Sequence, residues 1–171
     1  IIGQTRSAFS FTDAIAQGKI VLLNLSKGKI GELNAHMLGL ILMAKLQMAV
    51  MRRARSPADE RPPFYLFADE FQNVLSDSFI SMLSEARKYG LGVHLTNQYL
   101  GQLTDEIRHA VFGNVGTLIS FQVGPEDAEV LRAEFDPMDA EDLQNLPSHH
   151  FYIRLMLDGV TSKPFLAESL P

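Results

Sequence analysis

Two adjacent acids, Asp69 and Glu70, stand directly after a run of apolar, strand-forming residues, Phe64 to Ala68. That order suits nucleotide hydrolysis. An aspartate just off a rigid strand can hold the water shell of a magnesium ion, and the next residue can point at an attacking water and orient or deprotonate it. Adjacent side chains on extended backbone diverge, so the two acids can take separate jobs. The plainer reading is a capping Asp69 and a solvated Glu70, and the motif alone leaves both open.

Two further features bear on the choice. The next apolar run, "GVHLTNQ", ends in Gln98, whose amide can bridge a γ-phosphate or a lytic water to the rest of the protein. A strand-terminal glutamine is also an ordinary polar cap. Between the two runs, "EARKYGLG" places Arg87 and Lys88 at a helix end. Dipole compensation explains them locally; an arginine finger acting on a neighbouring subunit's nucleotide is the sharper alternative.

These residues need a scaffold, and the patterning predicts one. "KIVLLNLS", Lys19 to Ser26, reads as a strand buried on both faces. A long helix is expected from Gly31 to about Ala54, ending in the basic "RRAR" at Arg52 to Arg55. The spacing then predicts a strand over 64–68, a helix over 76–89 stopped by Gly90, and a strand over 92–98. A helix over 104–112, capped by Thr104, a strand over 115–123, and helices opening at Pro125 and Asp139 come next. The tail alternates around Asp158-Gly159 as a β-hairpin. Alternating strands and helices argue for an α/β fold, mostly parallel and flanked by helices, within a single domain over 1–171.

The ordered set "FYLFADEFQN…LSEARKYGLGVHLTNQYLGQL" resembles the RecA-like motor of the HerA/FtsK superfamily, above all the TraG/TraD-type coupling proteins of conjugative type IV secretion. The carrying residues are Asp69-Glu70, Arg87 to Leu91, Gln98 and Gln102-Leu103, and the closing hairpin is similar too. The resemblance implies that Asp69 and Glu70 are Walker B acids, with Asp69 holding Mg²⁺ through water. It implies that Gln98 senses phosphate and that Arg87 is a finger across a hexamer interface. It further implies ATP as the nucleotide, single- or double-stranded DNA as cargo, and relaxosome and secretion-channel proteins as partners. The expected place is the cytoplasmic face of the inner membrane, reached through another part of the parent protein.

The family's phosphate cradle, G-x-x-x-x-G-K-[ST], does not occur in the chain, nor does a Rossmann G-x-G-x-x-G. The expectation is a C-terminal portion of a longer ATPase that binds ATP weakly or not at all by itself. The alternative is a non-catalytic docking module that recognises a relaxosome protein. With a net charge of −5, bulk electrostatics do not recruit nucleic acid. The lack of cysteine excludes disulfides and thiolate metal sites. No membrane contact is expected, since the longest apolar run, Met37 to Val50, is interrupted by Lys45 and Gln47. His149-His150 would point to opposite faces of a strand, a poor metal site. His36 reads as structural, and the acidic stretch from Glu126 to Asp142 as a solvated face.

Overall fold

The computed structural model describes residues 9–170. They fall into two compact units, one ending at Asn97 and the other beginning at Gln98. The class is mixed α/β, with a short parallel sheet in the first unit and an antiparallel sheet in the second.

In the first unit, helix α1 (Phe11–Ala16) starts at Ser10, whose hydroxyl accepts the Asp13 N–H. A single turn, α2 (Lys27–Ile30), and Gly31 at φ 82° lead into the long helix α3 (Glu32–Arg52). Strand β1 (Phe64–Ala68) is followed by a 3₁₀ turn over Phe71–Val74. Helix α4 (Asp77–Glu85) continues as a tighter turn to Tyr89 and stops at Gly90, where φ is 67°. Strand β2 (Leu91–Leu95) then runs parallel to β1, from Phe64 opposite Leu91 to Ala68 opposite Leu95.

Helix α3 forms the floor of this unit because Met43, Leu46 and Val50 recur at helical spacing and are buried. Phe79 and Met82 of α4 pack into the same cluster, with Phe64, Leu66, Val93 and Leu95 facing it from the sheet. Each fully buried side chain of this size contributes about 1.5–3 kcal/mol. At Gly39 of α3 an added Cβ would lie 2.5 Å from Val74 Cγ1. The missing side chain lets the helix approach the turn after β1 closely.

Three expectations need correction here. Lys19 to Ser26 is not a strand: the segment is irregular up to α2, and Ile20 and Leu22 are each 90 % exposed. Apolar, β-branched composition supplies a preference, whereas a strand needs a partner for its backbone groups, and β1 pairs with β2 alone among the described residues. Strand β2 ends at Leu95, three residues before Gln98, because β1 stops at Ala68 and the chain turns away at Glu70, so that the backbone pairing runs out after Thr96. The third concerns the membrane. By length and composition alone, Glu32–Arg55 is long and apolar enough to cross one, and Lys45 and Gln47 do not prevent that. The helix nonetheless buries Leu46 and Val50 in the core of this unit.

In the second unit, helix α5 (Asp105–Asn114) starts at Thr104, whose hydroxyl accepts the Ile107 N–H. Strand β3 (Leu118–Ser120) is shorter than the expected 115–123. Helix α6 (Pro125–Leu131) has its proline in the first turn, and α7 (Ala140–Gln144) has a capping box between Asp139 and Asp142. Strands β4 (His150–Arg154), β5 (Met156–Leu157), β6 (Val160–Thr161) and β7 (Phe165–Glu168) complete the chain. The sheet order is β3-β4-β7, antiparallel throughout. The short pair β5-β6 turns at Asp158-Gly159, both at positive φ, as a two-residue hairpin requires.

Phe135, Leu143 and Ala128 are fully buried in this unit. The acidic stretch is only in part a solvated face. Asp127 accepts the Leu100 N–H at 2.9 Å from a buried position, Glu134 pairs with Arg154 at 2.8 Å, and Asp139 and Asp142 cap α7.

Candidate functional site

Parallel strands deliver the residues after them to one edge of the sheet. The register that sets Ala68 opposite Leu95 therefore brings Asp69 beside Thr96. The Thr96 hydroxyl donates to Asp69 Oδ1 at 2.6 Å, and the Glu70 N–H donates to the same oxygen at 3.1 Å. The backbones lock as well: the Thr96 N–H donates to the Ala68 carbonyl at 3.0 Å, and the Phe71 N–H to the Thr96 carbonyl at 3.2 Å. Asp69 Oδ2 accepts nothing from the described residues, and the side chain is exposed.

Glu70 turns the chain away from the sheet. It sits in the left-handed region, φ 49° and ψ 49°, which costs a non-glycine residue roughly 1–2 kcal/mol. Asn73 holds this turn: its N–H and its side-chain amide both donate to the Glu70 carbonyl, at 3.0 and 3.1 Å. His36 of α3 donates from Nδ1 to the Asn73 carbonyl at 2.8 Å, an acceptor that fixes which ring nitrogen carries the proton. Gln72 donates from Nε2 to Glu70 Oε2 at 2.5 Å. Phe71, 2 % exposed, plugs the turn into the core. Backbone strain at a residue between two polar networks is a common mark of a functional position.

Arg87 lies at the other edge of the same sheet, and Gln98 belongs to the other unit. Arg87 is exposed in the turn just before β2, at the amino edge of the ladder. Asp69 and Glu70 lie at its carboxyl edge, roughly 16 Å away for five residues at 3.2–3.4 Å each. Gln98 is the first residue of the second unit, exposed and outside any strand. The acids and Arg87 of one chain are thus not brought together.

Of the basic "RRAR", Arg53 is structural: it donates to the carbonyls of Gly90 and Pro62. Burial first, and the neighbouring Arg61 second, push its guanidinium below the usual range. Arg61 in turn donates to the Lys88 carbonyl at 2.6 Å and to Ser56, tying the end of the helical turn to the loop before β1. No group of three or more potential metal-ligating side chains occurs among the described residues.

Sequence reading missed Thr96, Gln72 and Asn73. A signal for Thr96 existed: with the two strands aligned by their ends, the residue after β2 must stand across from the residue after β1.

Residues 63–133 match the family described as the TraM recognition site of TraD and TraG. No curated protein sequence matches the chain significantly. Among solved structures, the genome packaging NTPase B204 from Sulfolobus turreted icosahedral virus 2, in complex with AMPPCP, is 18 % identical; the match covers 96 % of this chain and 73 % of that one, with a TM-score of 0.66. The plasmid coupling protein TrwB, in complex with the GTP analogue GDPNP, is 15 % identical over 79 % of this chain and 38 % of its own length, with a TM-score of 0.61. The unbound bacterial conjugative coupling protein TrwBdeltaN70 matches over the same shares, with a TM-score of 0.59. At such identities the likeness is one of fold.

Proposed function

We propose, from the premise that residues 63–133 are a TraG/TraD-type segment, that this chain is the C-terminal part of a nucleotide-driven DNA-transport motor. The observation that carries the reading is the Thr96–Asp69–Glu70 arrangement at the carboxyl edge of two parallel strands. Asp69 is held by one oxygen, which leaves the other to a water on Mg²⁺. Magnesium keeps several waters and takes one or two carboxylates plus substrate phosphates, so a single exposed aspartate fits it better than an all-protein cage. Glu70 is the base that orients or deprotonates the attacking water. Gln98 is the phosphate sensor.

The nucleotide is ATP, and its phosphate cradle belongs to a part of the parent outside this sequence. The chain spans 38 % of TrwB, which leaves room for such a part. The parent assembles as a homo-hexamer at the cytoplasmic face of the inner membrane and moves DNA. Arg87 acts in trans: it is exposed, makes no ion pair among the described residues and stands far from its own acids. Arg87→Ala should therefore lower turnover by at least about a hundredfold, and mixing it with a base-dead Glu70→Gln subunit should restore partial activity. No recovery on mixing would place the arginine elsewhere.

The overall reading is tested by ATP turnover of the parent with and without DNA. DNA should stimulate it, and Thr96→Val should weaken it about tenfold by freeing the Asp69 carboxylate, since small misplacements are costly. Full, DNA-insensitive turnover in Thr96→Val would contradict it. A second reading is favoured by the description of the matched family: the same segment docks a TraM-like relaxosome protein. A pull-down in which the parent binds such a protein with Asp69 and Glu70 both replaced by alanine would separate docking from hydrolysis.

A further inference from the structure

We propose that Gln72 is the positioning residue for Glu70, fixing its carboxylate so that one oxygen is presented to the attacking water. The inference rests on Glu70 being the base. A glutamate has three rotatable bonds, and a base that samples many rotamers spends little time within reach of its proton. Here the backbone is already unusual: Glu70 is left-handed, its carbonyl is held twice by Asn73, and its N–H is held by Asp69. The one remaining freedom is the side chain. Gln72 removes it by donating from Nε2 to Oε2 at 2.5 Å in a partly buried setting. Occupying Oε2 leaves Oε1 with both lone pairs for a water.

The spacing makes this clamp possible. Between the two residues lies Phe71, buried at 2 % exposure, so the chain from 70 to 72 is anchored at its midpoint. The same 3₁₀ turn is tied to α3 through His36 and the Asn73 carbonyl. The amide therefore projects from a fixed base, as an orienting partner must. A neutral amide also supplies a donor at every working pH, which a carboxyl in its place would not.

The test compares ATP turnover of the parent with that of Gln72→Leu and Gln72→Glu. Gln72→Leu keeps the size and loses the donor. It should lower kcat about tenfold with the KM for ATP unchanged, because ground-state phosphate contacts are untouched. Gln72→Glu, which sets a second carboxylate against Glu70, should be slower than Gln72→Leu, again with the KM for ATP unchanged. A merely structural role for Gln72 predicts that KM and the unfolding midpoint move together with kcat. An unchanged or raised kcat in Gln72→Leu, with Glu70→Gln inactive, overturns the inference alone. Turnover by Glu70→Gln itself overturns the reading beneath it.

Discussion

In the parent protein, Glu70→Gln lowers ATP turnover by at least about two orders of magnitude and leaves nucleotide affinity within about twofold. The substitution is isosteric and preserves an acceptor for Gln72 Nε2, so the turn that carries residue 70 has no reason to rearrange. The lost group is the one that would accept the proton of the attacking water. Asp69→Asn separates the two acids. It leaves Glu70 in place and should instead raise the Mg²⁺ requirement, because the amide cannot match a carboxylate in holding the metal's water shell. Single-turnover kinetics with labelled ATP, read beside equilibrium binding, distinguish the two outcomes.

Phe71→Ala should destabilise the chain by about 3–5 kcal/mol, the largest stability effect expected at the site. Phe71 is among the largest fully buried side chains and comes directly after the strained Glu70. Its removal leaves a cavity beneath the turn. It also loosens the bond from its N–H to the Thr96 carbonyl, which closes the carboxyl edge of the sheet. Urea titration followed by circular dichroism measures the loss as a shift of midpoint at constant slope. A shift below about 1 kcal/mol would mean that the turn is not anchored as described.

The elements that announce themselves locally were legible in the sequence. Phe64–Ala68 is a strand of the expected extent, Thr104 caps the helix it precedes, Gly90 stops the helical run before it, Pro125 opens α6, and Asp158-Gly159 turns a hairpin. Each signal lies within a few residues of its effect. Lys19–Ser26 defeats a local reading because strand identity depends on a partner, which is a tertiary matter.

The site divides in the same way. The adjacent acids stand out in the sequence, whereas their holders do not. Thr96 lies 27 residues from Asp69 and meets it only through strand register. Nothing local marks Glu70 as left-handed, since the features that hold it there arrive later, in Asn73, and earlier, in His36. Arg53 reads locally as part of a free basic cluster, yet it pins backbone carbonyls at the opposite edge, as Arg61 does.

The account turns on Asp69 meeting the metal of a bound nucleotide. A structure of the parent with Mg²⁺ and a non-hydrolysable ATP analogue tests it most directly. Magnesium should lie about 4 Å from an Asp69 carboxylate oxygen, one water between them, with Thr96 still on Oδ1. A nucleotide whose metal lies beyond roughly 10 Å, too far for one bridging water, with Asp69 facing solvent, would contradict it.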